Sequence, residues 1–212
     1  MANRPVFIFG DETRPVYRRD VEFDWNAGQS ATQKRKNIVA LHEAFNETEP
    51  EMKVLEISSK SLQEAGVRLS AFNLTKFVPS LGRSIPLECV FQGGKVFSGG
   101  GPFTDLYGGN SREAKQDPRL RSSGVLVNYW FEGRKVPSFP TTAFYNWLYA
   151  NALLENPGLA EEIVKYDAFT DIEFNPNKSR NCQAEAAAVF VGLARRGLLD
   201  EVRDFDRFVK LL

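Results

Sequence analysis

Residues 183–196 read QAEAAAVFVGLARR, an alanine-rich run without proline that stops at Gly197. No other feature limits the fold more. Alanine has the highest helix propensity, the paired Arg195 and Arg196 sit favourably at the negative end of a helix dipole, and glycine suits the stop. Three more helices are predicted nearby. Thr141 or Thr142 caps one that runs to Leu154 and presents Phe144, Trp147, Leu148 and Ala152 at helical spacing. Asn156 followed by Pro157 starts a second, to about Tyr166. Glu201 to Leu211 closes the chain as an amphipathic helix packing Val202, Phe205, Phe208 and Val209. The first half reads differently. Val6–Phe9 and Val21–Trp25 predict strands at the edge of a small sheet, Gln33–Phe45 a helix before a turn at 46–50, and Val54–Ile57 a strand. Leu62–Ala65 reads as a short turn of helix or a loop, Val67–Leu74 as an extended piece, and Val125–Phe131 as a strand turning at 132–134. Strands early and helices late predict a single α+β domain, and 212 residues are enough for one filled core.

The chemistry concentrates at Ser84–Ser98, SIPLECVFQGGKVFS, where Glu88, Phe91, Gln92 and Lys95 recur at i, i+3, i+4 and i+7. On a helix this spacing lines up a carboxylate, a ring, an amide and an amine on one face. Carboxylates beside apolar residues move towards neutrality and become usable acids or bases, and Glu88 lies between Leu87 and Cys89. Lys95 is suited to neutralise charge, hold a phosphate, or attack as an amine if desolvated; Phe91 offers a face for a planar base. A solvated helix face explains Glu88 and Lys95 equally well by spacing alone. Gly93 and Gly94, each costing a helix about 1 kcal/mol relative to alanine, point instead to close approach of something.

A second polar segment holds Asp171, Glu173, Asn175, Asn177, Lys178, Arg180 and Asn181. Asp171 and Glu173 alternate with Ile172 and Phe174 as in extended chain, and Asn181 reads as the cap of the alanine-rich helix. As a site, its amides and Lys178 or Arg180 suit hydroxyls and phosphates, and Asp171 suits a sugar hydroxyl. Asn73, after Ser70, Ala71 and Phe72, is suited to a base edge or to a turn. Ser98–Asn110, with glycines at 99–101 and 108–109, has the composition of a loop that folds over a ligand.

Other classes are excluded or weakened by composition. With 27 basic and 27 acidic residues, the chain lacks the charge of a nonspecific duplex binder. Cys89, Cys182 and His42 make neither a disulfide framework nor a zinc set, so no metal site is expected. GxGxxG and P-loop motifs are absent, and Cys89 reads as a buried structural thiol. The apolar run in MANRPVFIFG is too short for a signal core and no run approaches a membrane span, which predicts a cytoplasmic protein without membrane contact.

ECVFQGGKVF at 88–97 resembles the E-x-x-x-FQ-x-x-K-F element of the NADAR superfamily, also called YbiA-like. SAFNL at 70–74 is similar to that family's upstream phenylalanine–asparagine segment, and DIEFNPNKSRNCQAEAAAVFVGL from Asp171 to its last helix. Together these cover roughly residues 50–200. The resemblance implies a compact, helix-rich YbiA-like domain with short strands over residues 1–212, residues 1–50 forming an amino-terminal extension packed on it. It implies hydrolysis of N-glycosidic bonds without a cofactor. Members act on aminopyrimidine intermediates of riboflavin synthesis or, as antitoxins of DarT-like toxins, remove ADP-ribose from guanine in DNA. The extended amino-terminal part and the SGGGPFTDLY insertion after Lys95 place the likeness nearer the antitoxins.

The implied substrate is ADP-ribosylated guanine in single-stranded DNA, with a cognate DarT-like toxin as partner. A small nucleotide-like metabolite, or binding without turnover, are the alternatives. Carried over by residue, Glu88 is the acid or base at the scissile C–N bond. Lys95 stabilises the opened sugar or forms a transient imine. Asp171 and Asn181 set the ribose end; Asn73, with Ser70 and Phe72, lies nearer the base, as do Phe91 and Gln92. Gly99, Gly100 and a cation such as Lys178 or Arg180 hold pyrophosphate.

Overall fold

The computed structural model describes residues 1–176 and 179–212. Its principal sheet follows from the most apolar strand. In β1 (Ala2–Phe9), Val6, Phe7 and Ile8 are consecutive and all buried. A strand with one wet face alternates, so an unbroken apolar run belongs between two layers. β1 accordingly pairs antiparallel with β2 (Val16–Phe23) on one side and with β9 (Ala168–Thr170) on the other. β9 pairs parallel with β3 (Val54–Glu56), giving the order β2-β1-β9-β3. The expectation that the first two strands both lie at an edge is therefore corrected. β1 is interior, and the edge is β2, whose residues Tyr17 to Asp20 are exposed.

Two helices cover this sheet. α1 (Ala31–Asn46), capped by the Ser30 hydroxyl accepting from the Gln33 N–H, packs Ile38, Leu41 and Phe45 against Val6, Ile8, Val21 and Phe23. α8 (Gln183–Arg195) lies in the larger core on the face of Phe7, with Ala184, Ala186, Ala187 and Ala188 fully buried. Small side chains let it approach closely: a Cβ on Gly192 would lie 3.3 Å from the Pro15 carbonyl oxygen. The predicted alanine-rich helix stands. Its cap position falls on Cys182 rather than Asn181 and makes no side-chain cap bond.

α6 (Ala143–Leu154) is buried nearly all round, and the polar tips of two of its rings find backbone partners. Trp147 Nε1 donates to the Val202 carbonyl at 2.9 Å, and the Tyr149 hydroxyl donates to that of Leu69 at 2.9 Å. Residues 64–74, expected in part as extended chain, instead form α2 (Glu64–Arg68) and a following turn. α7 (Pro157–Ile163) follows Asn156, whose amide donates to Thr75 and Ala152 carbonyls instead of capping. The closing segment is a 3-10 turn (Leu199–Arg203) and α9 (Phe205–Val209), broken at Asp204.

Smaller elements frame the chemistry. β4 (Thr75–Val78) and β5 (Arg83–Pro86) form a hairpin that delivers the chain into α3 (Leu87–Gly93). β6 (Lys95–Phe97), β7 (Leu126–Phe131) and β8 (Arg134–Pro137) make a three-stranded sheet. Between β6 and β7 lie a 3-10 turn (Thr104–Gly108), α4 (Ser111–Gln116) and α5 (Arg119–Ser122). Among the described residues no helix is long and apolar enough to cross a membrane.

Candidate active site

The helix that carries Glu88 ends at Gly93, so Lys95 does not complete a helical face. It opens β6, and the turn through Gly94 folds its side chain back over the helix. The two glycines are explained by the protein itself. A Cβ on Gly93 would sit 2.5 Å from the Tyr107 ring, and one on Gly94 2.7 Å from the Trp130 carbonyl oxygen, where the Trp130 N–H donates to the Gly94 carbonyl at 2.7 Å. The close approach expected from the two glycines is made by Tyr107 and Trp130, so the glycines by themselves do not point to a ligand. Gly94→Ala should cost about 1–3 kcal/mol by forcing these backbones apart, read as a lowered melting temperature in calorimetry.

The polar side chains form a relay. Lys95 Nζ donates to Gln92 Oε1 at 2.7 Å, and Gln92 Nε2 donates to Glu88 Oε1 at 2.8 Å. Glu88 and Gln92 are buried and Lys95 partly so. The Lys95 ammonium lies 4.6 Å from the centre of the Phe91 ring. Burial lowers Lys95 to about 8, against the opposing pull of Glu88 and with a smaller push from Lys115. Phe91 itself is 3% exposed and packed among Tyr129, Phe144 and Tyr145. Its expected open stacking face is covered.

Three distant segments close on this relay. The Glu88 N–H donates to the Ala71 carbonyl at 2.9 Å, and the Ala71 N–H donates to Gln183 Oε1 at 2.8 Å. Gln183 in turn hydrogen-bonds the Asp171 carboxyl. Asp171 is not in extended chain: the Phe174 N–H closes a turn onto its carbonyl at 3.1 Å. Burial first, and then the Glu56 carboxyl, push Asp171 well above the usual carboxylate range, with Lys115 opposing. Glu173 points elsewhere and pairs with Lys34 at 2.6 Å.

Asn181 hydrogen-bonds Tyr129, the strand partner of Lys95, and its Oδ1 is buried without a partner among the described residues. Asn73 is exposed and donates to the Val67 carbonyl and the Ser70 hydroxyl, which serves the turn. Ser70 is buried there, donating to Val67. Phe72 is half-buried beneath Lys115, whose Nζ lies 5.3 Å from the ring centre, while Ser111 one turn earlier donates to the Phe72 carbonyl at 3.0 Å.

Two N–H groups of the glycine loop are already committed. Gly99 N–H donates to Ser123 and Gly100 N–H to Phe97, so the expected pyrophosphate cradle is already occupied by the chain's own carbonyls. The rest of the 98–110 stretch packs on α3 through Tyr107 and the Phe103 N–H, which donates to Gly93 at 2.7 Å. Arg180 is exposed, and Lys178 lies outside the described residues. A cavity of about 500 Å³ lined by Tyr107, Trp130 and Glu132 opens beside Trp130, which alternates with Tyr129 along β7 and so lies on its other side.

Sequence reasoning missed Lys115, Tyr129, Tyr145, Gln183 and Glu56. None has a spacing signal to the relay, since each arrives from another element. The family comparison bears on the whole assembly. A family model described as DarT1-associated NADAR antitoxin matches residues 2–212. The chain belongs to that family. No curated protein matches it. As a NADAR antitoxin it has a single α+β domain consistent with a YbiA-like fold, and membership implies a DarT-like toxin as its cognate partner. Among the described residues no cluster of His, Cys, Asp and Glu could hold a metal ion.

Proposed function

We propose that this antitoxin is an N-glycosyl hydrolase that removes ADP-ribose from guanine in single-stranded DNA, undoing the modification made by a DarT-like ADP-ribosyltransferase. The observation that carries the reading is the Lys95 amine, desolvated to about 8 and hydrogen-bonded through Gln92 to Glu88. Desolvation leaves Lys95 more readily deprotonated near neutrality than an ordinary lysine. A nucleophilic amine beside a carboxylate suits attack on an anomeric carbon.

In this mechanism the ribose ring opens as the bond from its anomeric carbon to the ring oxygen breaks and that oxygen takes a proton. The Lys95 amine adds to the resulting C=N carbon, and guanine leaves with its nitrogen lone pair and a proton. Water then hydrolyses the Lys95 imine to the aldehyde of ADP-ribose, which recloses. Glu88 passes the protons between amine, water and leaving base. Asp171 and Asn181 hold the ribose end, Asn181 with an open acceptor for a hydroxyl. Lys115 and Arg180 supply positive charge for phosphates.

Substrate class is tested by comparing ADP-ribosylated oligonucleotide with ADP-ribosylated deoxyguanosine. The proposal expects a kcat/KM at least tenfold higher on the oligonucleotide. Equal or better turnover of the nucleoside would assign a small-molecule glycosidase.

A further inference from the structure

Glu56 sits on β3 at 1% exposure, with no role in the relay. Its carboxyl grips the chain on both sides of Asp171. Thr170 Oγ1 donates to Glu56 Oε2 at 2.6 Å, and the Ile172 N–H donates to Oε1 at 2.9 Å. The grip is itself backed. His42, on α1, lies with Nε2 2.8 Å from Thr170 Oγ1 and hydrogen-bonds it. Glu56 on β3, Thr170 on β9 and the partly buried His42 on α1 are thus linked by hydrogen bonds beside one acid. A purely structural clamp needs only an acceptor. Here it is an ionisable carboxyl, placed beside another.

We propose that Glu56 is a positioning residue for Asp171: it fixes the turn that carries Asp171 into the site and sets a second carboxyl against it, so that Asp171 meets the substrate as a proton donor. This rests on the hydrolase reading. Asp171 gives its proton to the ribose ring oxygen as the bond from that oxygen to the anomeric carbon breaks. The bond electrons stay on oxygen, and Asp171 recovers a proton when the ring recloses. Neighbouring buried carboxyls resist double ionisation, and after burial the Glu56 charge is the largest push on Asp171. Burial pushes both up, and Glu173 adds to the push on Glu56, against hydrogen bonds from Thr170, Ile172 and Ser58. The other groups facing the pair are Lys115 from α4, which opposes the shift of Asp171, Tyr145 and Tyr149 from α6, Cys182 before α8, and the neutral His42 lowered to about 4 by burial.

Glu56→Gln keeps the shape and an acceptor but removes the second acid. A carboxyl raised on folding holds its proton more tightly folded than unfolded. Its stability contribution is therefore most favourable at low pH and is lost as pH climbs from the unfolded value of about 4 through the folded one. Wild type should then lose more melting temperature between pH 5 and 8 than Glu56→Gln, by about 2–5 °C. In turnover, the alkaline limb of kcat/KM should move about one unit lower in the variant, a loss of about tenfold at pH 8.5 with little change at pH 6. Parallel melting profiles, or parallel rate profiles in active enzymes, overturn the proposal. If Glu56→Gln does not fold, Asp171→Asn decides: it removes the same repulsion and should melt higher than wild type at pH 8, whereas an unchanged or lower midpoint overturns the pairing. If wild type turns nothing over, the hydrolase reading and the donor role fall together, and the melting arm still reads the paired carboxyls.

Discussion

Lys95→Arg should abolish turnover, with kcat down about 10³-fold or more, while the protein folds and still binds ADP-ribose. Arginine retains the positive charge, can keep the ring contact with Phe91 and can donate to Gln92 Oε1, the two contacts Lys95 makes. What it lacks is an amine that deprotonates near neutrality. Wild-type rate should accordingly rise with pH up to about 8, about tenfold per unit on the acid side, as Lys95 loses its proton. Borohydride should trap ADP-ribose on Lys95 in wild type and leave the arginine variant unlabelled. An arginine variant of near-normal rate would mean that Lys95 works through charge alone and that water attacks directly.

Glu88→Gln should lower kcat about 10²–10⁴-fold at nearly unchanged stability. The substitution is close to isosteric, and a glutamine oxygen still accepts the 2.8 Å bond from Gln92 Nε2. Proton transfer is removed, together with the negative charge that favours the Lys95 ammonium. Circular dichroism and melting should match wild type, and a binding assay should show retained affinity for ADP-ribose. Full activity in a folded Glu88→Gln would move the acid–base role off α3.

The seven-residue interval from Glu88 to Lys95 was legible because both ends of the relay belong to one short stretch of chain. The path between them was not. Helical spacing put Lys95 on α3, whereas the backbone turns at Gly94 and the amine returns from a strand. That turn is imposed by Tyr107 and Trp130, 14 and 36 positions beyond the glycines they meet, so no local pattern announces it. α6 and α8 were legible for the opposite reason, since their apolar periodicity and helix formers agree with burial. β1 was misplaced because a run as short as Val6 to Ile8 fits a strand at several sheet positions, and only its pairing with both β2 and β9 makes it interior. The polar surroundings of Asp171 come from β3, α1, α4 and α8, segments far apart in sequence, and spacing carries no signal for such pairs.

The most direct test incubates wild type and Glu88→Gln with single-stranded DNA carrying ADP-ribose on guanine and follows the oligonucleotide by mass spectrometry. Wild type should restore the unmodified oligonucleotide and release free ADP-ribose, and the variant should bind the adduct and leave it intact. Intact adduct with wild type, or equal release by both proteins, would contradict hydrolysis at this site.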